Sequence, residues 1–140
     1  MRAKLLANEL AVPATATTAY STPVLLTAAN VGSVYGGDEA VPGEDLAFSS
    51  SGSGVVAVHL EGATFAAGDT VFVQVSNNYY ADGGSGETWT TVATATPGAL
   101  TTKSKPLYLD RVPFGEAMRL GITTTGATGV GSVSADILTD

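Results

Sequence analysis

Apolar and polar residues alternate along most of this chain, and clusters of Gly, Pro, Asn and Asp break the alternation at short intervals. A period of two belongs to strands, because successive side chains on a pleated backbone point to opposite faces. Val56, Val58 and Leu60 share one face of a strand predicted over 54–61, with Ala57, His59 and Glu61 on the other. Val71, Val73 and Val75 repeat the pattern over 70–77, opposite Phe72, Gln74 and Ser76. Strands are also predicted over 87–95, carrying Trp89, and over 105–110, with Leu107 and Leu109. Two more follow over 116–123, with Met118, Leu120 and Ile122, and over 130–138, with Val133, Ala135 and Ile137. Weaker strand signals lie at 4–12, 19–27 and 45–49, and 28–37 has room for one short helical turn.

The punctuation between these runs is turn chemistry. Residues 62–68 read as a connection, and residues 77–86 as a turn-rich loop in which Asp82-Gly83 and the glycines after it supply positive-φ positions. Pro97-Gly98 stops one strand, and the Ser-Gly run at 49–54 reads as a loop tip. No repeat or linker divides the chain. The pattern therefore predicts an all-β protein: a single jelly-roll or β-sandwich domain over 1–140, of about eight short antiparallel strands. Residues 1–12 form its N-terminal arm or strand. A chain of 140 residues can bury roughly two-thirds of its unfolded surface, enough for a core without staples.

Composition changes this picture in several ways. The charged fraction is 14%, against roughly 25% in an ordinary soluble domain, so part of the surface is expected to be covered in the working state. The net charge of −7 argues against nucleic acid, which rewards Lys and Arg placed on phosphates. No Lys or Arg occurs between Lys4 and Lys103, while that stretch carries acids from Glu9 to Glu87, a polarity that could orient the domain on a charged partner or simply keep it solvated. There is no cysteine, hence no disulfide and no thiolate metal site. The start of the chain faintly imitates a secretory leader, but Asn8, Glu9 and Pro13 interrupt the apolar run, so an arm or strand is expected there. No stretch approaches the roughly 20 apolar residues of a membrane span.

Candidate chemistry is sparse. His59 is the only histidine, which excludes a multi-histidine metal site, and no nucleophile-elbow motif accompanies it. Its alternation with Val58 and Leu60 puts it on the outer strand face as an ordinary surface or interface residue. Asp38, Glu39, Glu44 and Asp45 cluster within the loop 36–45, but without EF-hand spacing, so a solvated loop or an acidic contact patch is expected. Gly126 to Gly131 resembles a dinucleotide fingerprint but precedes a strand and opens no helix. Tyr79, Tyr80 and Trp89 flank the glycine-rich loop; they could stack on sugar rings, or Trp89 could cap the end of the sandwich while one tyrosine serves as an interface anchor. No enzyme activity, cofactor or metal is expected.

The order of motifs resembles a known family. Val71 to Ser76 is followed by a loop with Asp82-Gly83-Gly84 and then by Glu87-Thr88-Trp89-Thr90-Thr91-Val92. Arg111-Val112-Pro113-Phe114-Gly115, Met118-Arg119-Leu120-Gly121-Ile122, Thr125-Gly126 and the closing Val133-Ser134-Ala135-Asp136-Ile137-Leu138 complete the series. Over about 55–140 this is similar to the capsid cement (decoration) proteins of short-tailed phages. The resemblance implies a dimeric jelly roll on the outer surface of an HK97-like icosahedral shell, assembled in the host bacterial cytoplasm. Its partners would be the major capsid protein and a second copy of itself, with no nucleic acid and no membrane involved. Arg2, Lys4, Leu5 and Leu6 of the arm, the acidic loop, and Tyr79 and Tyr80 are the expected protein contacts, and open strand edges could pair with a neighbour. A carbohydrate-binding jelly roll using Tyr79, Tyr80 and Trp89, or a minor tail component, are the alternatives.

Overall fold

A computed structural model of the chain describes residues 2–26, 52–79, 86–97, 106–126 and 130–139. They form nine strands and, among the described residues, no helix: β1 (Arg2–Ala11), β2 (Thr18–Tyr20), β3 (Val24–Leu25), β4 (Ser53–Thr64), β5 (Thr70–Ser76), β6 (Thr90–Ala95), β7 (Leu107–Pro113), β8 (Ala117–Thr123) and β9 (Val130–Thr139). The predicted strand over 45–49 and the helical turn over 28–37 lie outside the described residues.

Two antiparallel sheets carry the fold. One has the order β1-β9-β4-β7 and the other β2-β8-β5-β6, with β3 continuing the β2 edge along β8. Apart from β2 to β3 and the β5–β6 hairpin, each strand passes to the opposite sheet, and these sheet orders are the jelly-roll arrangement of a β-sandwich. The weaker strand predicted over 19–27 is broken in two because Pro23 has no N–H to give the ladder.

The core follows from the alternation. Val56 and Val58 of β4, Val71, Val73 and Val75 of β5, Met118, Leu120 and Ile122 of β8, and Val133, Ala135 and Ile137 of β9 are all buried between the sheets. Register keeps these layers together: Val75 pairs with Met118, Val73 with Leu120 and Val71 with Ile122. Each such side chain contributes about 1.5–3 kcal/mol by leaving water.

Strand β4 runs three residues beyond the sequence expectation, to Thr64. The reason is a bulge. Gly62 (φ 67°) and Gly131 (φ 84°) lie against each other where β4 and β9 change register, and a side chain on Gly131 would meet the Gly62 backbone. Glycine permits both the positive φ and the close approach, so the segment expected to be a connection stays in the sheet.

Candidate functional site

With the interior filled by apolar side chains, what a jelly roll can offer a partner is its edges, its loops and the outer faces of its sheets. All four sheet edges are interrupted. Along β1 the pairing with β9 slips between Leu5 and Ala7 and again before Leu10, with Glu9 at φ 53°. Along β7 it slips opposite Gly54–Val56, where Arg111 stands at φ 55°, and Pro113 ends the strand. The β2/β3 edge is broken at residues 21–23, and β6 carries one extra residue, Val92, between the positions facing Val73 and Gln74. Bulges and prolines are the devices that keep edge strands from pairing with other chains. The edges expected to be open are thus present, and each is interrupted by a bulge, a proline or a break.

The outer face of the five-stranded sheet is occupied by its own side chains. Phe72 lies over Gly121, its partner across the β5–β8 ladder, and meets the Tyr20 ring edge-on with centroids 6.1 Å apart. One rung further, the Arg119 guanidinium sits 3.7 Å from the Tyr20 ring centroid and 4.2 Å from that of Trp89. Its Nε donates to Gln74 Oε1 at 2.8 Å, and Gln74 Nε2 donates to Thr91 Oγ1 at 3.2 Å. Burial lowers the Arg119 pKa, with Tyr20 and Glu87 acting in the other direction, and the guanidinium stays a cation. Trp89 therefore stacks on the outer face, just before β6, where the sequence placed it on a strand or over the sandwich end. Tyr79 is half-buried against Trp89 with centroids 5.8 Å apart and planes inclined by 60°, so the two rings do not share one flat platform for a sugar.

The base of the loop after β5 is held by side chains. Asn78 Oδ1 accepts from Ser76 Oγ and from the Thr88 N–H, and its Nδ2 donates to the Gly86 carbonyl. Glu116 Oε1 accepts the Tyr79 N–H, while the Glu116 N–H donates to Asn77 Oδ1.

The outer face of the four-stranded sheet differs. One rung crosses all four strands in the order Leu5, Asp136, Ala57, Tyr108. The next holds Ala3, Leu138 and Val55. Leu5 is 53% and Tyr108 55% exposed. The Tyr108 side chain makes no hydrogen bond and no ring contact with another described residue. Val55, Tyr108, Asp110 and Leu138 line an open groove of about 700 Å³. His59 lies on the same face, its Nε2 3.6 Å from Asp136 Oδ2, and both side chains are partly exposed.

The contact residues expected from sequence are thus divided. Leu5 is exposed and Lys4 half-buried, whereas Leu6 is 2% exposed. The register slip after Leu5 turns Leu6 and Ala7 both into the core, so the Leu6 side chain packs within the chain and is withdrawn as a contact. The side chain of Arg2 is not among those described, and Asp38, Glu39, Glu44, Asp45 and Tyr80 lie outside the described residues. Tyr20, Arg119 and Tyr108 were not singled out by the sequence. Each occupies a polar-face position of an alternating or short strand, and only the cross-strand register reveals its neighbours. Among the described residues no three acidic or histidine side chains converge as a metal site. No family model and no curated protein matches the chain.

Proposed function

We propose that this chain is a capsid cement protein, a non-catalytic decoration protein that binds the outside of an HK97-like icosahedral shell and bridges neighbouring capsomers. Its partners in this reading are the major capsid protein and a second copy of the chain, and its place is the outer surface of the virion. The observation that carries the reading is the outer face of the four-stranded sheet, where Leu5 and Tyr108 stand more than half exposed beside Val55 and Leu138. Large apolar groups held on a rigid sheet suit docking against another protein. The jelly roll and the low charge agree with the motif order that resembles cement proteins. Cementing needs only modest contacts, because each site on a lattice is one of many and its neighbours are already held in place.

The test is the copy number in purified virions of the phage encoding the chain, measured by quantitative mass spectrometry against the major capsid protein. A ratio of the order of one supports a shell-wide cement. A few copies per particle would make it a tail or vertex component, and absence from virions would remove the reading.

A further inference from the structure

We propose that the outer face of the four-stranded sheet is the surface that docks on the shell, and that it receives an apolar protein surface carrying lysine or arginine side chains. The inference rests on the cement reading and adds which surface makes the contact and what chemistry meets it. Strand addition is disfavoured at every edge by a bulge, a proline or a break. The outer face of the five-stranded sheet spends its aromatic and cationic groups on one another, with Phe72 covering Gly121 and Arg119 held between Tyr20, Trp89 and Gln74.

Among the described residues, the third surface presents large exposed side chains with no side-chain partner. Leu5 and Tyr108 end the rung that crosses β1, β9, β4 and β7, and Val55 and Leu138 fill the next. The charges on this face are mostly of one sign. Asp136 lies within the apolar rung, Asp110 lines the groove and Glu61 follows along β4, against the exposed Arg111 at the β7 bulge and the imidazole of His59. An apolar face with acids set among and beside its apolar side chains is complementary to an apolar patch that carries basic side chains, and the opposite charges would fix orientation more than affinity.

The experiment is binding of the purified full-length chain to shells of the encoding phage that lack it, at low and high salt. Four proteins are compared: wild type, Tyr108→Glu, the double variant Asp110→Lys/Asp136→Lys, and Thr94→Glu on the opposite outer face. Circular dichroism confirms the fold of each, and light scattering gives each free mass. The expected result is wild-type binding that weakens with salt, a loss of about tenfold or more for Tyr108→Glu and for the double lysine variant, and a change within about twofold for Thr94→Glu. Three outcomes overturn the inference alone: Tyr108→Glu binding like wild type, Thr94→Glu carrying the loss instead, or Tyr108→Glu halving the free mass, which would assign the face to a second copy. Wild type that leaves shells bare overturns the cement reading and the inference together.

Discussion

The Phe72 ring fills the space that a side chain on Gly121 would need. The two residues face each other across the β5–β8 ladder, and a Cβ built on Gly121 would stand inside van der Waals contact with three atoms of the ring. Phe72 is only 8% exposed although it points away from the core, because it lies flat on the sheet and meets the Tyr20 ring at its edge. An aromatic lying over a strand glycine restores apolar contact that the glycine itself cannot make. Gly121→Ala is therefore expected to destabilise the fold by about 1–3 kcal/mol, since the ring must move to admit one methyl group. The two positions are also coupled. Phe72→Ala should cost less in the Gly121→Ala background than in wild type, and a double-mutant cycle by urea unfolding measures the difference. Additive effects would mean that the ring does not rest on residue 121.

Arg119 and Trp89 give the same face an optical reporter. Trp89 is the only tryptophan of the chain, and the Arg119 guanidinium stands 4.2 Å from its ring centroid. Removing the guanidinium in Arg119→Ala exposes one side of the indole to water and leaves Gln74 Oε1 without its donor. The expected result is a shift of Trp emission to longer wavelength together with a loss of about 1 kcal/mol of stability. Arg119→Lys keeps the charge but not the planar group that stacks on two rings, so it should reproduce most of the spectral shift. Wild-type emission in both variants would show that the contact does not persist in solution.

Asn78 should govern the base of the loop between β5 and β6. Its side chain links the two ends of the loop, accepting from Ser76 Oγ on one side and, on the other, accepting from Thr88 N–H at 2.8 Å and donating to the Gly86 carbonyl at 3.1 Å. Asn78→Ala leaves Thr88 N–H without that acceptor, and hydrogen exchange at Thr88 should speed up by about tenfold, while amides in β8 exchange as before. Equal acceleration in β8 would mean that the substitution loosens the whole sheet.

How far the fold could be read in advance depended on burial. Strands β4, β5, β8 and β9 are central, so one of their faces must be apolar, and Val56/Val58, Val71/Val73/Val75, Met118/Leu120/Ile122 and Val133/Ala135/Ile137 announce it. Edge elements were blurred. Pro23 splits one expected strand, and the Leu6 bulge puts two adjacent residues on one face, which no strict alternation anticipates. The candidate surfaces were harder still. Leu5, Asp136, Ala57 and Tyr108 come from four strands spread over more than 100 positions, and only the register joins them. Asp69 was read as one acid among many, because both donors of its distant clamp come from Thr125, 56 residues away in sequence.

Asp69 is an acid-sensitive point of the fold. It is 1% exposed, and its carboxylate accepts three hydrogen bonds: Ala66 N–H on Oδ2 at 2.8 Å, and Thr125 N–H and Oγ1–H on Oδ1 at 2.8 and 2.9 Å. These bonds tie the β4–β5 turn to the segment that follows β8. Burial by itself would raise the pKa, but the bonds from Ala66 and Thr125 outweigh it and hold the group below the usual 3.8. A carboxylate whose folded pKa is depressed contributes stability above its unfolded pKa and loses that contribution as pH falls through the folded value. The contribution is thus intact at pH 7 and fades below about pH 4. Asp69→Asn presents an amide N–H₂ where one of the backbone donors needs an acceptor, and should cost about 1–3 kcal/mol at pH 7. Because the asparagine does not titrate, the gap between wild type and variant should narrow in thermal melts taken from pH 7 down to pH 3. A gap that stays constant over that range would show that the charge of Asp69 adds nothing to the clamp.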